Sequence, residues 1–447
     1  MMHTGDDMSF NNILQSLITQ AREVMNKLPD TRKKSNATKY EISDAVMGGL
    51  SVFLMQDPSF LSHQERLLES SGGDNFTTLF SGANIPSPNQ IRNLLDNISP
   101  SGLFPILDFS LQTLEKKDRL KEFQYFEGGY LIALDGTEYH SSENIKCECC
   151  STRTYGKKTD KQKTIYHHQM LAASIVSPGI NQAIPLRPEF ISPQDGSEKQ
   201  DSEMSAAKRW IEKNCEIYKH LNPTIMGDDL YSKEPICKDI LEKEMNFLFT
   251  CKPESHKTLY EYVKTDEVKK LSIKEKEGYK TYIYNFKYMN SVPIKDGDDA
   301  LLVNWLDIEV VNPKDSKVVY HSSFITSHHI TNSNVSSLAN AGRARWKIEN
   351  ENNNTLKTKG YNFEHNYGHG KKNLSTVFAT LTIIAFAFHT VSDIACELYE
   401  RAKKKSRTRI NFFDRLRTLT SFICFKSWES LLNFIINPPP KEVIGVY

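Results

Sequence analysis

A chain of 447 residues is long enough to bury a large core and to form two or three domains. With 39% apolar residues, 25% charged residues and a net charge of +1, it has an ordinary globular composition and no overall electrostatic case for nucleic acid, so any such case falls to local patches. Eight cysteines in so long a chain exclude the dense disulfide scaffold of a small secreted domain.

Met1 to Phe10 lacks a basic-then-apolar signal pattern. The first 125 residues read as helical, with segments at Asn11–Lys27, Glu41–Met55 and Pro88–Asp96. Ser87 suits an N-cap and Pro88 the first helical position. Asn89, Gln90 and Arg92 then fall on the outer side, as in helix-turn-helix units that touch DNA. A plain helical packing unit would give the same pattern.

From Tyr130 the period changes. Tyr130–Leu134 is a short apolar run that predicts a buried strand ending at Asp135. Thr164–Val176 and Asn181–Leu186 read as strands, and Asp201–Tyr218 as a helix with Ala206, Ala207, Trp210, Ile211 and Cys215 on its apolar side. Thr224–Gly227 is another apolar run closed by acid, at Asp228. Lys233–Lys243 follows as a helix and Phe247–Thr250 as a strand. This order predicts a mixed α/β core. Tyr279–Lys287, Leu301–Val311 and Val318–Ile325 predict a β-rich insertion over 256–335.

The chain is helical again from about residue 340, where Arg345 and Glu349, four apart, share one helix face and Ile348 and Leu356 point to a core. The apolar window Val377–Val391, interrupted by Thr380, Thr382 and His389, is short for a bilayer and reads as a buried helix. Arg401–Arg409 is the densest basic run, either a phosphate-neutralising patch or a solvated surface. Together these features predict a reduced, cytoplasmic protein with no membrane partner.

Asp135 and Asp228 at strand ends and Glu349 on a helix docked beside them are candidate ligands for hard divalent cations. Asp229 competes with Asp228, since neighbours on an extended segment point to opposite faces. Glu351 competes with Glu349, and Asp201 and Glu203 read as helix-start acids favoured by the dipole. Cys147 and Cys150, with His167 or His168 later in the chain, are candidate zinc ligands, although a second well-spaced pair is missing. His365 and His369 read as solvated loop residues, with an approach to DNA as the alternative. Trp305 reads as a buried strand residue, with stacking on an extruded base as the alternative.

Leu134–Thr137, Gly227–Ser232 and Arg345–Glu349, in that order, resemble the three acidic motifs of DDE transposases, and are most similar to the insertion-sequence-four family with its Tyr-Arg-Glu-Lys signature. Glu364–His369 also looks family-like, and the resemblance spans about residues 127 to 395. It implies an RNase H-like mixed-sheet α/β core with a β-rich insertion, flanked by N-terminal and C-terminal helical regions. With the helical ends read from the residue pattern, the expected division is 1–125, helical and a candidate DNA-binding unit; 126–255, the first part of the catalytic core; 256–335, the insertion; 336–395, the rest of the core; and 396–447, a basic helical region.

The implied activity is cleavage at transposon ends and strand transfer into target DNA, by a homodimer on double-stranded DNA at the nucleoid. Asp135, Asp228 and Glu349 would hold two Mg2+ ions, with Mn2+ able to substitute. Arg345 would hold phosphate. The signature's tyrosine falls at Gly342 and its lysine at Leu356, one residue before Lys357, which takes over as a DNA contact beside Asn89 and Arg92. An RNase H-like nuclease without strand transfer and an inactive DNA-binding descendant are the rival readings.

Overall fold

The computed structural model describes residues 13–33, 38–68, 72–156, 159, 161–193, 201–265 and 267–440; Met1 to Phe10, Asn11 and Glu198 to Gln200 lie outside the described residues. Leu14, Leu17, Ile18, Ala21 and Met25 recur at helical spacing and are buried along one side of α1 (Ile13–Met25). Then follow α2 (Ile42–Leu54), α3 (Phe60–Leu68), α4 (Gly72–Phe80), α5 (Pro88–Leu95) and α6 (Pro105–Lys116). Ser87 caps α5 as expected, its hydroxyl accepting from the Gln90 amide at 3.3 Å.

The central sheet has eleven strands. The first five are β1 (Tyr130–Ser142), β2 (Ser151–Tyr155), β3 (Lys163–Val176), β4 (Ile184–Pro185) and β5 (Glu189–Ile191). After α7 (Glu203–Tyr218) come β6 (Pro223–Gly227), α8 (Glu234–Glu242), β7 (Asn246–Thr250) and α9 (Lys257–Tyr262). The predicted insertion is β8 (Lys269–Glu277), β9 (Lys280–Pro293), β10 (Leu302–Asn312) and β11 (Lys317–Thr326). It does not form a separate sheet. Phe324, Ile325 and Thr326 of β11 pair with β7, so the sheet runs β2-β3-β1-β6-β7-β11-β10-β9-β8, with β4 and β5 also on β3. β1 is antiparallel to β3 and parallel to β6, and β6 is parallel to β7.

The first strand differs from expectation, because β1 continues seven residues beyond Asp135. Its parallel pairing with β6 stops at Ala133↔Met226, whereas its antiparallel pairing with β3 continues through Asp135↔Ala172 to Ser142↔Tyr166. Asp135 therefore lies where one neighbour ends, and not at a strand terminus.

The helix expected around Glu349 also departs from regularity. α10 (Val335–Ala344) gives way to a π-helical segment, Ile348–Asn353, before α11 (Asn354–Thr358). Such widened turns are rare and cluster at functional sites. Ile348 and Leu356 are fully buried, as their spacing predicts.

α12 (Leu374–Ala395) is longer than the apolar window that announced it and is long and apolar enough to cross a membrane, yet its most apolar stretch is wholly buried. It is the axle of the helical half, packed against α1, α2, α5 and α6. Gly49 of α2 marks the close approach, since a Cβ there would stand 3.0 Å from Leu381 and 3.3 Å from Leu95. The chain closes with α13 (Glu397–Lys405), α14 (Arg409–Phe422) and α15 (Trp428–Ile436).

Candidate functional site

Parallel register aligns the two aspartates. Ala133 pairs with Met226, so Asp135 and Asp228 each stand two residues beyond a matched pair on adjacent strands, about 4.8 Å apart. From the other side the π-helical segment brings Glu349 and Asn353. The Arg345 guanidinium lies 2.7 Å from Glu349 Oε1 and 4.0 Å from Asp135 Oδ1, and Asn353 Nδ2 donates to Asp135 Oδ2 at 2.8 Å. Asp228 Oδ1 accepts from the Leu230 amide at 2.8 Å, which folds the turn after β6.

A fourth carboxylate, Glu203 at the start of α7, comes to the same place, beyond its predicted part as a helix-start acid. The Glu203 carboxylate closes over Gly136, where a Cβ would lie 2.2 Å from Oε2, so a larger residue at 136 would displace that carboxylate. The buried Tyr231 hydroxyl donates to the other Glu203 oxygen. The signal that could have revealed Glu203 is the glycine directly after Asp135.

Four acids around one guanidinium leave an excess of negative charge. The Asp135 carboxyl is pushed up to about 7, first by burial and then by the charge of Glu349, partly offset by Arg345, with Glu203 and Asp228 adding to the rise. The Tyr231 hydroxyl is held far above its ordinary value, by burial and then by the charge of Glu203. This all-oxygen donor set suits a hard divalent cation. Among the described residues its oxygens do not gather within 4.8 Å as the sulfur and nitrogen cluster described below does, and Arg345 contacts both Glu349 and Asp135.

The competing acids have other employment. Asp229 accepts from the Lys252 amide at 2.7 Å and from the Ser255 hydroxyl, fastening the turn after β7. Asp201 is paired with Arg209 at 2.7 Å. Gly342 packs where a Cβ would meet the Phe324 ring at 2.6 Å. Leu356 is buried and Lys357 pairs with Glu364 at 2.8 Å, away from the carboxylates.

Arg92 donates through Nε to the Tyr367 carbonyl at 2.9 Å and stacks over Phe60, while the exposed Asn89 accepts from its other arm at 3.3 Å. Trp305 is buried, its ring edge-on to Tyr260. Within the basic run, Arg401, Lys403 and Lys404 are paired with Glu397, Asp393 and Glu400.

A second cluster joins the turn after β1, the strand β3 and the loop before α12. Cys147, Cys150, His168 and His369 present ligand atoms that all fall within 4.8 Å of one another, a group that could hold a metal such as zinc. Of the two histidines weighed from the sequence, His168 joins the thiols. His167 does not, because adjacent residues on β3 face opposite sides of the sheet. His369 corrects the expectation of a solvated loop: it is buried, whereas His365 is exposed. The missing second pair is thus made of two histidines from distant segments.

A scan against protein-family models and a search of curated proteins return no match for this chain.

Proposed function

We propose that the chain is a DNA transposase that cuts at the ends of its element and joins them to target DNA. The single observation that carries this is the approach of Asp228 and Glu349, with Arg345, to Asp135 from three separated segments at the end of the central strands β1 and β6. The strand order supports an RNase H-like core: β5, β3 and β1 antiparallel in succession, then β6 and β7 parallel to β1.

Asp135, Asp228 and Glu349 would hold two Mg2+ ions, with Mn2+ able to replace them. When bound, the ions supply activation of the attacking water or 3′-hydroxyl and stabilisation of the leaving oxygen. The protein's own groups position the reaction. Asn353 fixes the Asp135 carboxylate through Oδ2, while Oδ1 faces Arg345 at 4.0 Å. Arg345, already at the mouth of the acidic cluster, binds a phosphate oxygen beside the scissile bond. Glu203, held by the Tyr231 hydroxyl, adds a further negative charge beside Asp135, which favours a bound cation. The partners are the element's terminal inverted repeats and target DNA, held by a homodimer in the cytoplasm.

The test incubates the full-length protein with DNA carrying the element's ends, in Mg2+. Integrated products that vanish in Asp135→Asn, with DNA binding retained, are expected. Cleavage without joining would instead favour a nuclease. DNA binding with no chemistry in the wild type would make the chain an inactive descendant and overturn the proposal.

A further inference from the structure

The second cluster stands on its own geometry. Cys147 Sγ lies 3.9 Å from Cys150 Sγ, too far for a disulfide, whose sulfurs stand about 2.05 Å apart. His168 Nε2 lies 3.3 Å from Cys147 Sγ and 3.4 Å from Cys150 Sγ, and His369 Nε2 lies 3.3 Å from both Cys150 Sγ and His168 Nε2. A tetrahedral Zn2+ with ordinary zinc–sulfur and zinc–nitrogen bonds requires sulfur–sulfur, sulfur–nitrogen and nitrogen–nitrogen separations of about 3.8, 3.5 and 3.3 Å. These five separations match that tetrahedron, and the sixth, between Cys147 and His369, lies within 4.8 Å.

The surroundings are built for it as well. The Cys147 amide points at Cys150 Sγ at 3.3 Å, and the Cys150 amide returns to the Cys147 carbonyl at 3.3 Å, closing a turn that aims both sulfurs inward. His369 is delivered by a Gly-His-Gly loop in which Gly368 and Gly370 both have positive φ, 144° and 68°. The Asp96 carboxylate accepts from the amides of Lys371, Lys372, Asn373 and Leu374, at 2.9 to 3.1 Å, and so fixes the start of α12 directly after that loop. The Glu148 amide donates to the Lys371 carbonyl at 3.2 Å, tying the cysteine turn to the same loop.

We propose that Cys147, Cys150, His168 and His369 bind one structural Zn2+ that locks the loop between α11 and α12 onto the β1–β3 edge of the sheet. Four protein ligands fill the tetrahedron, leaving no position for water or substrate, so the ion is a staple and not a second reaction centre. His140, opposite His168 in the β1–β3 ladder, is five residues along β1 from Asp135, about 17 Å, so the zinc is separate from the acidic cluster. Its role is to hold the segment that follows Glu349 against the strand that carries Asp135. The proposal is independent of the transposase reading.

Elemental analysis of the purified full-length protein tests it. One zinc per chain is expected, lost in Cys150→Ser and His369→Ala and retained in Cys149→Ser, in His167→Gln and in the acidic-site variant Asp135→Asn. Chelator-treated wild type should take up one Co2+ with the visible bands of a tetrahedral thiolate site, which decides the matter even where a ligand variant fails to fold. Hydrogen exchange of residues 361–373 should quicken at least tenfold on chelation. A wild-type chain that retains no zinc and gives no such cobalt spectrum, or one that loses zinc equally in Cys149→Ser, would overturn the proposal.

Discussion

The two polar clusters are built on opposite principles. At Asp135 the groups are all oxygen acids, half-open to solvent, over-charged, and held apart by an arginine. At Cys150 the groups are soft or borderline ligands, three of the four buried, already at coordination distances, and tied by backbone hydrogen bonds. The first arrangement leaves room for something to arrive. The second leaves none. A site that must admit substrate keeps charge uncompensated, whereas a site that only has to hold the fold satisfies every ligand.

The largest expected effect strikes the open cluster alone. Asp135→Asn, Asp228→Asn and Glu349→Gln should each lower the rate of end cleavage by on the order of 10³-fold or more, with melting temperature unchanged or raised, as gel assays beside calorimetry would register. A variant that loses activity and stability in parallel would erase the contrast between the clusters.

Chelation strikes the closed cluster. If free zinc is held at a thousand times its dissociation constant, removing it should cost about 4 kcal/mol of stability, measured by denaturant unfolding with and without chelator. No change would mean the ligands hold themselves in place without an ion.

A smaller effect follows from Gly370→Ala. The residue has φ of 68°, and a Cβ there would stand 2.3 Å from Asp96 Oδ1. A loss of about 1–3 kcal/mol is expected, with weaker zinc retention, because the loop that presents His369 must shift.

The last effect is a pH signature. The Asp135 carboxyl rises from 3.8 to about 7 on folding, so the folded chain binds that proton more tightly than the unfolded one. Its contribution is fully present below pH 3.8 and is lost as pH rises through about 7. Asp135→Asn should therefore be more stable than wild type at pH 8 but not at pH 3.5, and Mg2+ binding to wild type near pH 7 should release protons. Isothermal titration in buffers of different ionisation enthalpy would detect the release.

Much of the candidate acidic site was legible in the chain. Apolar runs closed by acid announced β1 and β6, and four-residue spacing put Arg345 against Glu349. The continuation of β1 beyond Asp135 was hidden, because a strand paired on one side alone no longer needs an unbroken apolar run. Short partners such as β2 and β5 carry too few residues to show a period. Arg92 looked free on a helical wheel, yet it reaches a carbonyl that follows it by 275 residues.

The linear order of residues determined the local elements, the buried α12 and the Cys-x-x-Cys turn, since those depend on spacing between near neighbours. Only the tertiary structure chose His168 over His167, drew Glu203 to Gly136, and delivered His369 to Cys150 across 219 residues. Periodicity records which face a side chain takes, but the meeting of distant faces is set by strand register and loop closure, which leave no local trace.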